Sequence, residues 1–250
     1  MNKRALITGS SSGIGFAYAR YLTKKGWDLD LISNDKERSE KSKIDLDYKK
    51  ASFHTADLSK SKSIKNIISN FETPDLIVAN AGVAINGPIG KLNEQEKSEA
   101  YYLMCGGVID LIEGFASRMV DKSSGRIVII SSIGAISPMP KSSIYSSIKS
   151  GIYAYAKSIS AELRDKGVNV TVSLPGYVKT SAHKRAGLEH LESKVPSWMW
   201  IGPEKVVIET EKASINGKSE IVPGMVYKIA KPFLKFNSAV NLWRRITKRG

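Results

Sequence analysis

The sequence contains little of what metal-binding, secreted or membrane-spanning proteins use. Its single cysteine, Cys105, cannot form an internal disulfide, and together with three histidines it supplies no ligand cluster for structural zinc. No apolar run is long enough to cross a bilayer, and residues 1–4 lead straight into a strand pattern without a secretory leader. We therefore expect a cytoplasmic protein without a bound metal, or at most one peripheral to a membrane.

Acidic residues are scarce relative to basic ones. The 250 residues include 38 lysines and arginines against 24 aspartates and glutamates, which gives a formal net charge of +14. This balance favours contacts with phosphates, nucleic acid or anionic lipid. Because the sequence has no helix-turn-helix signature, zinc finger or aromatic-basic strand set, we expect no nucleic-acid partner.

Short apolar runs alternate with helical patterns along most of the chain. The predicted strands are 4–9, 28–33, 51–58, 75–79, 126–132, 169–174 and 219–224. The predicted helices are 16–25, 60–71, 93–120, 142–166 and 203–212, with a reduced or irregular helix in the polar stretch 36–50. This alternation predicts an α/β fold with a Rossmann-type, doubly wound parallel sheet. We expect seven strands in a three-layer αβα arrangement, forming a single domain over residues 1–225.

A glycine-rich turn follows the first strand. In Thr8-Gly9-Ser-Ser-Ser-Gly13-Ile-Gly15, Gly9 would make the tight turn, while Gly13 and Gly15 would allow close packing of cofactor and helix. Backbone N–H groups at the start of the following helix can then bind a pyrophosphate. The alternative is an ordinary strand-to-helix turn with additional glycines.

The end of the second strand bears on the choice between NAD and NADP. An acidic residue there would bond the ribose 2′-hydroxyl and select NAD, but the sequence has Ser33 and Asn34. Asp35 is close, and Lys36 and Arg38 lie just beyond. We therefore expect NADP to be preferred over NAD.

The next two strands also end in residues suited to a cofactor. Asp57 could accept a hydrogen bond from an adenine amino group, or it could cap the helix after Ser59. The fourth strand closes with Asn80-Ala81-Gly82, in which small residues let a cofactor lie against the backbone and Asn80 can bond neighbouring strand ends.

Ser132, Tyr145 and Lys149 are candidate catalytic residues. Ser132 ends the fifth strand, while Tyr145 and Lys149 lie one turn apart on one face of the next helix. A free tyrosine titrates near pH ~10, and a neighbouring ammonium lowers that pKa toward neutrality. With Ser132 on the same substrate oxygen, the three side chains suggest proton transfer to or from a carbonyl or alcohol. Taken alone, the pair could also be a buried ring beside a solvated lysine.

In this order and spacing, the motifs resemble those of the short-chain dehydrogenase/reductase family over roughly residues 3–225. The matching elements are Thr8-Gly-x-x-x-Gly13-x-Gly15, Asp57, Asn80-Ala-Gly82, Ser132, Tyr145-x-x-x-Lys149 and Pro175-Gly176. The resemblance implies an NAD(P)-dependent oxidoreductase that transfers hydride between the cofactor and a carbonyl or alcohol. It further implies that Tyr145 is the general acid or base, that Lys149 lowers its pKa and holds the nicotinamide ribose, and that Ser132 orients the substrate oxygen.

The residues expected to bind the cofactor lie in the turns after the strands and on the helix that carries Tyr145. They are Gly9, Ser11, Ser12, Gly13, Ile14, Gly15, Ser33, Asn34, Asp57, Leu58, Asn80, Ala81, Gly82, Tyr145, Lys149, Pro175, Gly176, Val178 and Thr180. The resemblance implies that backbone near Val178, together with Thr180, meets the nicotinamide carboxamide.

One departure from the family pattern concerns position 104. The family usually has an asparagine on the long helix before the fifth strand, where it helps hold a water that links the lysine to solvent. That position falls on Met104, whose thioether is only a weak acceptor. We expect this to affect catalytic rate more than cofactor binding. A second hypothesis therefore stays open, a dinucleotide-binding protein of weak catalytic power that serves as a redox sensor or interaction module.

The segment 181–201 is expected to cover the substrate. Its large apolar residues are Leu188, Leu191, Val195, Trp198, Met199 and Trp200. They predict a lid over an apolar or lipid-like substrate of the ketoacyl type. Alternatively, Trp198 and Trp200 pack on the edge of the sheet or against a second subunit.

Residues 226–250 form a basic amphipathic extension. Pro232 is expected to divide it into two helical pieces, and the apolar Trp243 and Ile246 lie among basic residues near its end. The extension could contact an anionic membrane surface peripherally, or it could pack on its own domain or a partner subunit. Family analogy also leads us to expect a homodimer or homotetramer.

Overall fold

The computed structural model describes residues 2–43, 46, 50–138, 140–181, 194–236, 241–242 and 245. The strands of this part of the chain are β1 (Arg4–Thr8), β2 (Asp28–Ser33), β3 (Ala51–Thr55), β4 (Leu76–Ala79), β5 (Gly125–Ile130), β6 (Val168–Ser173), β7 (Tyr177–Val178), β8 (Trp200–Ile201) and β9 (Glu220–Ile221). The α-helices are α1 (Gly13–Thr23), α2 (Lys36–Lys43), α3 (Ser61–Asn70), α4 (Glu94–Tyr101), α5 (Gly107–Asp121), α6 (Ser143–Leu163), α7 (Pro203–Ile215) and α8 (Met225–Ala230).

Seven of these strands form one parallel sheet in the order β3-β2-β1-β4-β5-β6-β9, and β7 pairs with β8 separately. The predicted Rossmann-type fold is therefore confirmed. From β1 the chain moves outward to β3 on one side, and from β4 it moves outward on the other. Ligands in such sheets bind at the carboxyl ends of the strands where this direction reverses, here at β1 and β4.

The central strands bury both of their faces under helices. Leu6 of β1 packs in a cluster with Phe115 of α5 and Ile152 of α6, whereas its neighbours Ala5 and Ile7 pack on the side of α1. Successive side chains of a strand point to opposite faces, so a strand covered on both sides is apolar at every position. This explains why the strands appear in the sequence as continuous apolar runs.

A buried ion pair joins α7 to the sheet and to α1. Arg126 Nη2 lies 2.8 Å from Glu211 Oε1, and the Tyr18 hydroxyl donates to Glu211 Oε2 at 3.1 Å. Burial, followed by the charge of Glu211, raises the pKa of Tyr18 well above its usual value. The phenol therefore stays protonated and donates to the carboxylate.

The long helix predicted over 93–120 is helical without a break, but its geometry changes in the centre. α4 and α5 are joined by a π-helical turn, Tyr102–Gly106, which includes Met104. A Cβ at Gly107 would lie only 2.9 Å from the Tyr102 carbonyl oxygen and 3.2 Å from that of Leu58, so glycine permits this close approach. Turns of this type are rare and occur mostly at functional sites.

In the C-terminal extension, residues up to 235 form α8 and a 3-10 segment over Lys231–Lys235, and the described residues 241, 242 and 245 are helical as well. The boundary falls one residue before Pro232. Tyr227 and Leu234 are buried in the main hydrophobic core, so this part of the extension packs on its own domain. Trp243 and Ile246 lie outside the described residues. Within the described ranges, no helix is both long enough and apolar enough to cross a bilayer.

Candidate active site

A cavity of about 530 Å³ opens at the carboxyl ends of the strands. Among the candidate site residues expected from the sequence, all but Gly15 form part of its wall: Gly9, Ser11, Ser12, Gly13, Ile14, Ser33, Asn34, Asp57, Leu58, Asn80, Ala81, Gly82, Ser132, Tyr145, Lys149, Pro175, Gly176, Val178 and Thr180. The fold thus brings residues from widely separated stretches of sequence to one place.

The glycine-rich turn requires its glycines for different reasons. Gly9 and Gly13 have φ angles of +65° and +58°, in the left-handed region that glycine adopts without strain. Gly15 does not line the cavity, and a Cβ there would lie 2.3 Å from the Gly9 carbonyl oxygen. Its role is packing within the turn, which leaves the N-terminus of α1 facing the cavity.

The turn is suited to an anion. The first N–H groups of α1 have no partner within the helix, and Ser12 provides no side-chain cap for them. A Cβ at Gly13 would approach Thr180 Cγ2 to 3.2 Å, so a side chain there would crowd the space between the turn and the loop after β6. An anionic pyrophosphate at the start of α1 fits these observations.

Asn80 ties the end of β4 to the glycine turn. Its Nδ2 donates to the carbonyl oxygens of Thr8 at 3.0 Å and Gly9 at 3.2 Å. In return, the Thr8 hydroxyl accepts from the backbone N–H groups of Asn80 and Ala81, both at 3.0 Å. These bonds hold the two strand ends at the switch point together, as expected from the sequence.

The part of the cavity next to β2 and α2, which we call its far end, contains serines and an arginine. Ser33 Oγ donates to Ser11 Oγ at 2.8 Å. Arg38 also lines the cavity, and its Nε lies 2.6 Å from Asp35 Oδ2. Arg38 was noted from the sequence only as a basic residue beyond the strand, and its position on α2 is what brings it to the cavity.

Asp57 makes the contacts of a turn cap. Its Oδ1 accepts from the backbone N–H of Ser59 at 3.0 Å and from the Ser59 hydroxyl at 2.7 Å. Because Asp57 also lines the cavity, capping does not prevent contact with a ligand. The helix-cap interpretation is wrong, because the N-cap residue of α3 is Lys60 and Asp57 caps only the turn before it. Contact of Asp57 with an adenine stays a prediction.

Lys149 is fully buried beside Tyr145. Its Nζ donates to the carbonyl oxygen of Ile130 at 3.1 Å and lies 5.8 Å from the centre of the Tyr145 ring. Burial lowers the pKa of Lys149 to about 8, and interaction with Cys105 acts weakly in the opposite direction. At neutral pH the side chain is still mostly charged.

Ser132 lies on the same side of the cavity as Tyr145. Its Oγ accepts from the backbone N–H of Gly134 at 3.1 Å. A Cβ placed on Gly134 would be 3.4 Å from Ser132 Oγ and 3.6 Å from Tyr145 Cε1, so both side chains flank this glycine. Tyr145 is in the first turn of α6, where the helix dipole favours negative charge on the phenol oxygen.

Met104 forms part of an apolar wall near the catalytic group. Its side chain is 2% exposed, and its Sδ would be 3.3 Å from a Cβ on Gly82. Val83, Ile85 and Leu103 continue the wall. Met104 lies in the π-helical turn, and its equivalence to the asparagine of the family stays a prediction.

The loop after β6 is held by a residue that the sequence did not single out, Tyr227 of α8. The Tyr227 hydroxyl accepts from the backbone N–H of Tyr177 at 2.9 Å and donates to the carbonyl oxygen of Met199 at 2.6 Å. Burial raises the pKa of Tyr227, so the phenol stays protonated. A Cβ on Gly176 would lie 1.9 Å from Tyr227 Cζ, which means that glycine is required for the contact.

The expected lid is described only in part. Val195 and Met199 are buried, and the ring of Trp200 packs against that of Tyr177 at 5.4 Å between centroids. Trp198 is 56% exposed. Leu188 and Leu191 lie outside the described residues. Trp200 therefore packs at the loop after β6, while Trp198 remains on the surface.

Fold and site together define a Rossmann-type dinucleotide-dependent oxidoreductase. The sequence pattern of the family described as short chain dehydrogenase matches residues 3–190. The chain therefore belongs to the short-chain dehydrogenase family and is an NAD(P)-dependent oxidoreductase.

Several relatives are 3-oxoacyl-[acyl-carrier-protein] reductases. The chain is 29% identical to a 3-oxoacyl-[acyl-carrier-protein] reductase of Rickettsia prowazekii over 222 residues, which cover 88% of this chain and 92% of that protein. It is also 29% identical to the enzyme of the same name from Chlamydia muridarum over 191 residues, or 74% of this chain and 77% of that one. Among solved structures, a short-chain dehydrogenase from Sphingobium yanoikuyae in complex with NADPH has a TM-score of 0.84 at 23% identity, covering 96% of this chain and 95% of that chain.

Proposed function

We propose that the protein reduces a carbonyl group on an apolar substrate of the ketoacyl type, with NADP as its preferred cofactor. The observation that carries the proposal is the convergence of Ser132, Tyr145 and Lys149 in the cavity that also contains the glycine-rich turn. A bound nicotinamide would supply hydride, and the protein would supply orientation and a proton.

Tyr145 is the proton donor of the proposed reaction, and its hydroxyl delivers a proton to the carbonyl oxygen. Lys149 assists because a buried ammonium beside the ring favours the phenolate that remains. One of its three N–H groups donates to Ile130, and the others are suited to the ribose of the cofactor. Ser132 accepts from the Gly134 N–H, so its own hydrogen can be donated to the substrate oxygen.

The preference for NADP rests on the far end of the cavity. Ser11 follows β1, Ser33 ends β2 and Arg38 lies on α2, and all three line the cavity. A guanidinium and hydroxyls suit a 2′-phosphate. Arg38 Nε is paired with Asp35, so a 2′-phosphate would be met by the other N–H groups of the guanidinium.

The substrate class rests on the apolar wall formed by Val83, Ile85, Leu103 and Met104. Such a wall favours a hydrocarbon next to the reacting carbonyl. The relatives named as 3-oxoacyl-[acyl-carrier-protein] reductases agree with a ketone close to a thioester.

The test is oxidation of NADPH and of NADH against a panel of ketones, aldehydes and 3-oxoacyl thioesters. We expect turnover with the thioesters and NADPH, and a loss of at least about 100-fold in kcat for Tyr145→Phe with unchanged NADPH affinity. Tyr155→Phe is the matched control, because Tyr155 is on the same helix but its hydroxyl donates to Glu113. Equal loss in both variants, or full activity of Tyr145→Phe, would contradict the assignment.

The second candidate, a dinucleotide-binding protein of weak catalytic power acting as a redox sensor or interaction module, is favoured by Met104. A thioether cannot hold a water as an amide does. Tight NADPH binding without turnover on any substrate would support this candidate. In that case Met104→Asn should raise turnover while leaving NADPH affinity unchanged.

We also propose, by analogy with the family, that the protein is a homodimer or homotetramer. Its location in the cytoplasm is a separate proposal from the sequence. Sedimentation of the purified protein measures the first directly, and a monomer at micromolar concentration would contradict it.

A further inference from the structure

The helical segment 225–236 has two apolar faces. Its inner face carries Tyr227, Ala230 and Leu234, which pack on the main core. Its outer face carries Met225, Ile229, Phe233 and Phe236, which are all between 56% and 64% exposed. Met225, Ile229 and Phe233 are spaced by four positions, as on one side of a helix, and Phe236 follows directly after the 3-10 segment. We refer to these four residues as the outer stripe.

An exposed stripe of this kind is unusual on a soluble domain. Single exposed apolar residues are common, but a contiguous group of large ones marks a contact surface.

The segment is fixed to the domain with the stripe outward. Lys228 Nζ lies 2.6 Å from Glu209 Oε2, and Lys231 pairs with Glu220. Tyr227 adds two hydrogen bonds on the inner side. The outer stripe cannot turn inward without breaking these contacts, so its exposure is a property of the folded domain.

Charge indicates which partner covers the stripe. Residues 225–250 include seven lysines and arginines and no aspartate or glutamate. Two of the seven, Lys228 and Lys231, are paired with Glu209 and Glu220 in the described part of the segment. A symmetric dimer through this face would bring two such segments together, whereas an anionic lipid surface would attract them.

We propose that the outer stripe docks the protein on an anionic lipid surface. Met225, Ile229, Phe233 and Phe236 enter the boundary between headgroups and acyl chains, and the cations of the segment lie near the lipid phosphates. This attachment is peripheral and separate from the proposed reaction. It does not depend on the identity of the substrate or on catalytic competence.

Sedimentation of the full chain with lipid vesicles tests the proposal. We expect binding to vesicles of phosphatidylcholine with phosphatidylglycerol, and much weaker binding to pure phosphatidylcholine. The double variant Ile229→Ser, Phe233→Ser should have a partition coefficient lower by about tenfold or more, because two apolar side chains no longer enter the lipid. The matched control is Ile208→Ser with Ile215→Ser, which removes two exposed isoleucines of α7 and should leave partitioning unchanged.

Three outcomes would overturn the proposal. The first is equal partitioning of both double variants. The second is vesicle binding of the unaltered protein that about 0.5 M salt abolishes completely, since the charge alone would then account for it. The third is a dimer in solution that the Ile229→Ser, Phe233→Ser variant dissociates, without vesicle binding by either protein; the outer stripe would then be an interface between copies. Melting temperatures of both variants check that each is folded.

Discussion

Gly176→Ala tests whether Tyr227 determines the position of the loop after β6. A Cβ at position 176 would lie 1.9 Å from Cζ and 2.1 Å from Cε1 of Tyr227, so either the ring or the loop must move. Displacement of this kind in a packed core costs about 1–3 kcal/mol. For a domain of this size, that corresponds to a decrease in melting temperature of roughly 2–4 °C per kcal/mol.

Tyr227→Leu removes the obstructing ring and also its hydroxyl. The Tyr177 N–H and the Met199 carbonyl lose their partner, and each unsatisfied group costs about 1–3 kcal/mol. When both substitutions are combined, the methyl group introduced at position 176 meets no ring. We therefore expect the double variant to be more stable than the sum of the single changes predicts, by about 1–3 kcal/mol.

Urea unfolding of the unaltered protein, the two single variants and the double variant measures this coupling. Gly202→Ala serves as control, because Gly202 has a negative φ and its Cβ would meet Glu204 Oε2 at an ordinary 3.5 Å. We expect only a small change there. If the decreases in the free energy of unfolding caused by the changes at 176 and 227 add to within about 0.5 kcal/mol, the ring of Tyr227 does not determine the position of the loop.

Three further changes test other parts of the molecule. The pKa of Lys149 is about 8 in the folded chain and higher in the unfolded chain, so the unfolded state binds more protons between these two values. The free energy of unfolding, relative to that of Lys149→Met, should therefore rise by up to about 3 kcal/mol from about pH 8 to about pH 10. If chemical denaturation shows no change of this difference with pH, the burial argument is contradicted. Arg38→Ala should weaken NADPH binding by about tenfold or more and leave NADH binding nearly unchanged in fluorescence titrations, with Lys36→Ala as control. Equal weakening for both cofactors would refute a 2′-phosphate site. Glu211→Ala should cost about 3–5 kcal/mol, because Arg126 and Tyr18 lose a buried partner, whereas Glu162→Ala at the exposed pair with Lys166 should change the unfolding midpoint little.

The strands were predictable because their physical cause is local. A strand covered on both faces must be apolar at every position, and this pattern is visible in Ile127 to Ile130 or Leu76 to Ala79 without knowledge of the fold. The turns after the strands were predictable for a related reason. Parallel strands place all their carboxyl ends at one edge, so residues as distant as Gly9 and Thr180 line one cavity.

The features that were missed depend on contacts between distant parts of the chain. The π turn at Tyr102–Gly106 has no pattern of its own in the sequence. Tyr227 is one aromatic residue among apolar neighbours, and its importance arises from Gly176, some fifty positions earlier. Arg38 reaches the cavity only because α2 begins soon after β2.

Two hydrogen bonds connect the end of β5 to α6, the helix that carries Tyr145 and Lys149. One involves the backbone of Lys149 and the other its side chain. Ser131 Oγ donates to the backbone carbonyl of Lys149 at 2.9 Å, while Lys149 Nζ donates back to the carbonyl of Ile130 at 3.1 Å. Strand β5 and helix α6 are therefore joined reciprocally, next to Ser132 on one side and one helical turn from Tyr145 on the other. Under the proposed function, substitutions in the segment expected to cover the substrate would change which molecules are admitted while these two hydrogen bonds stay intact.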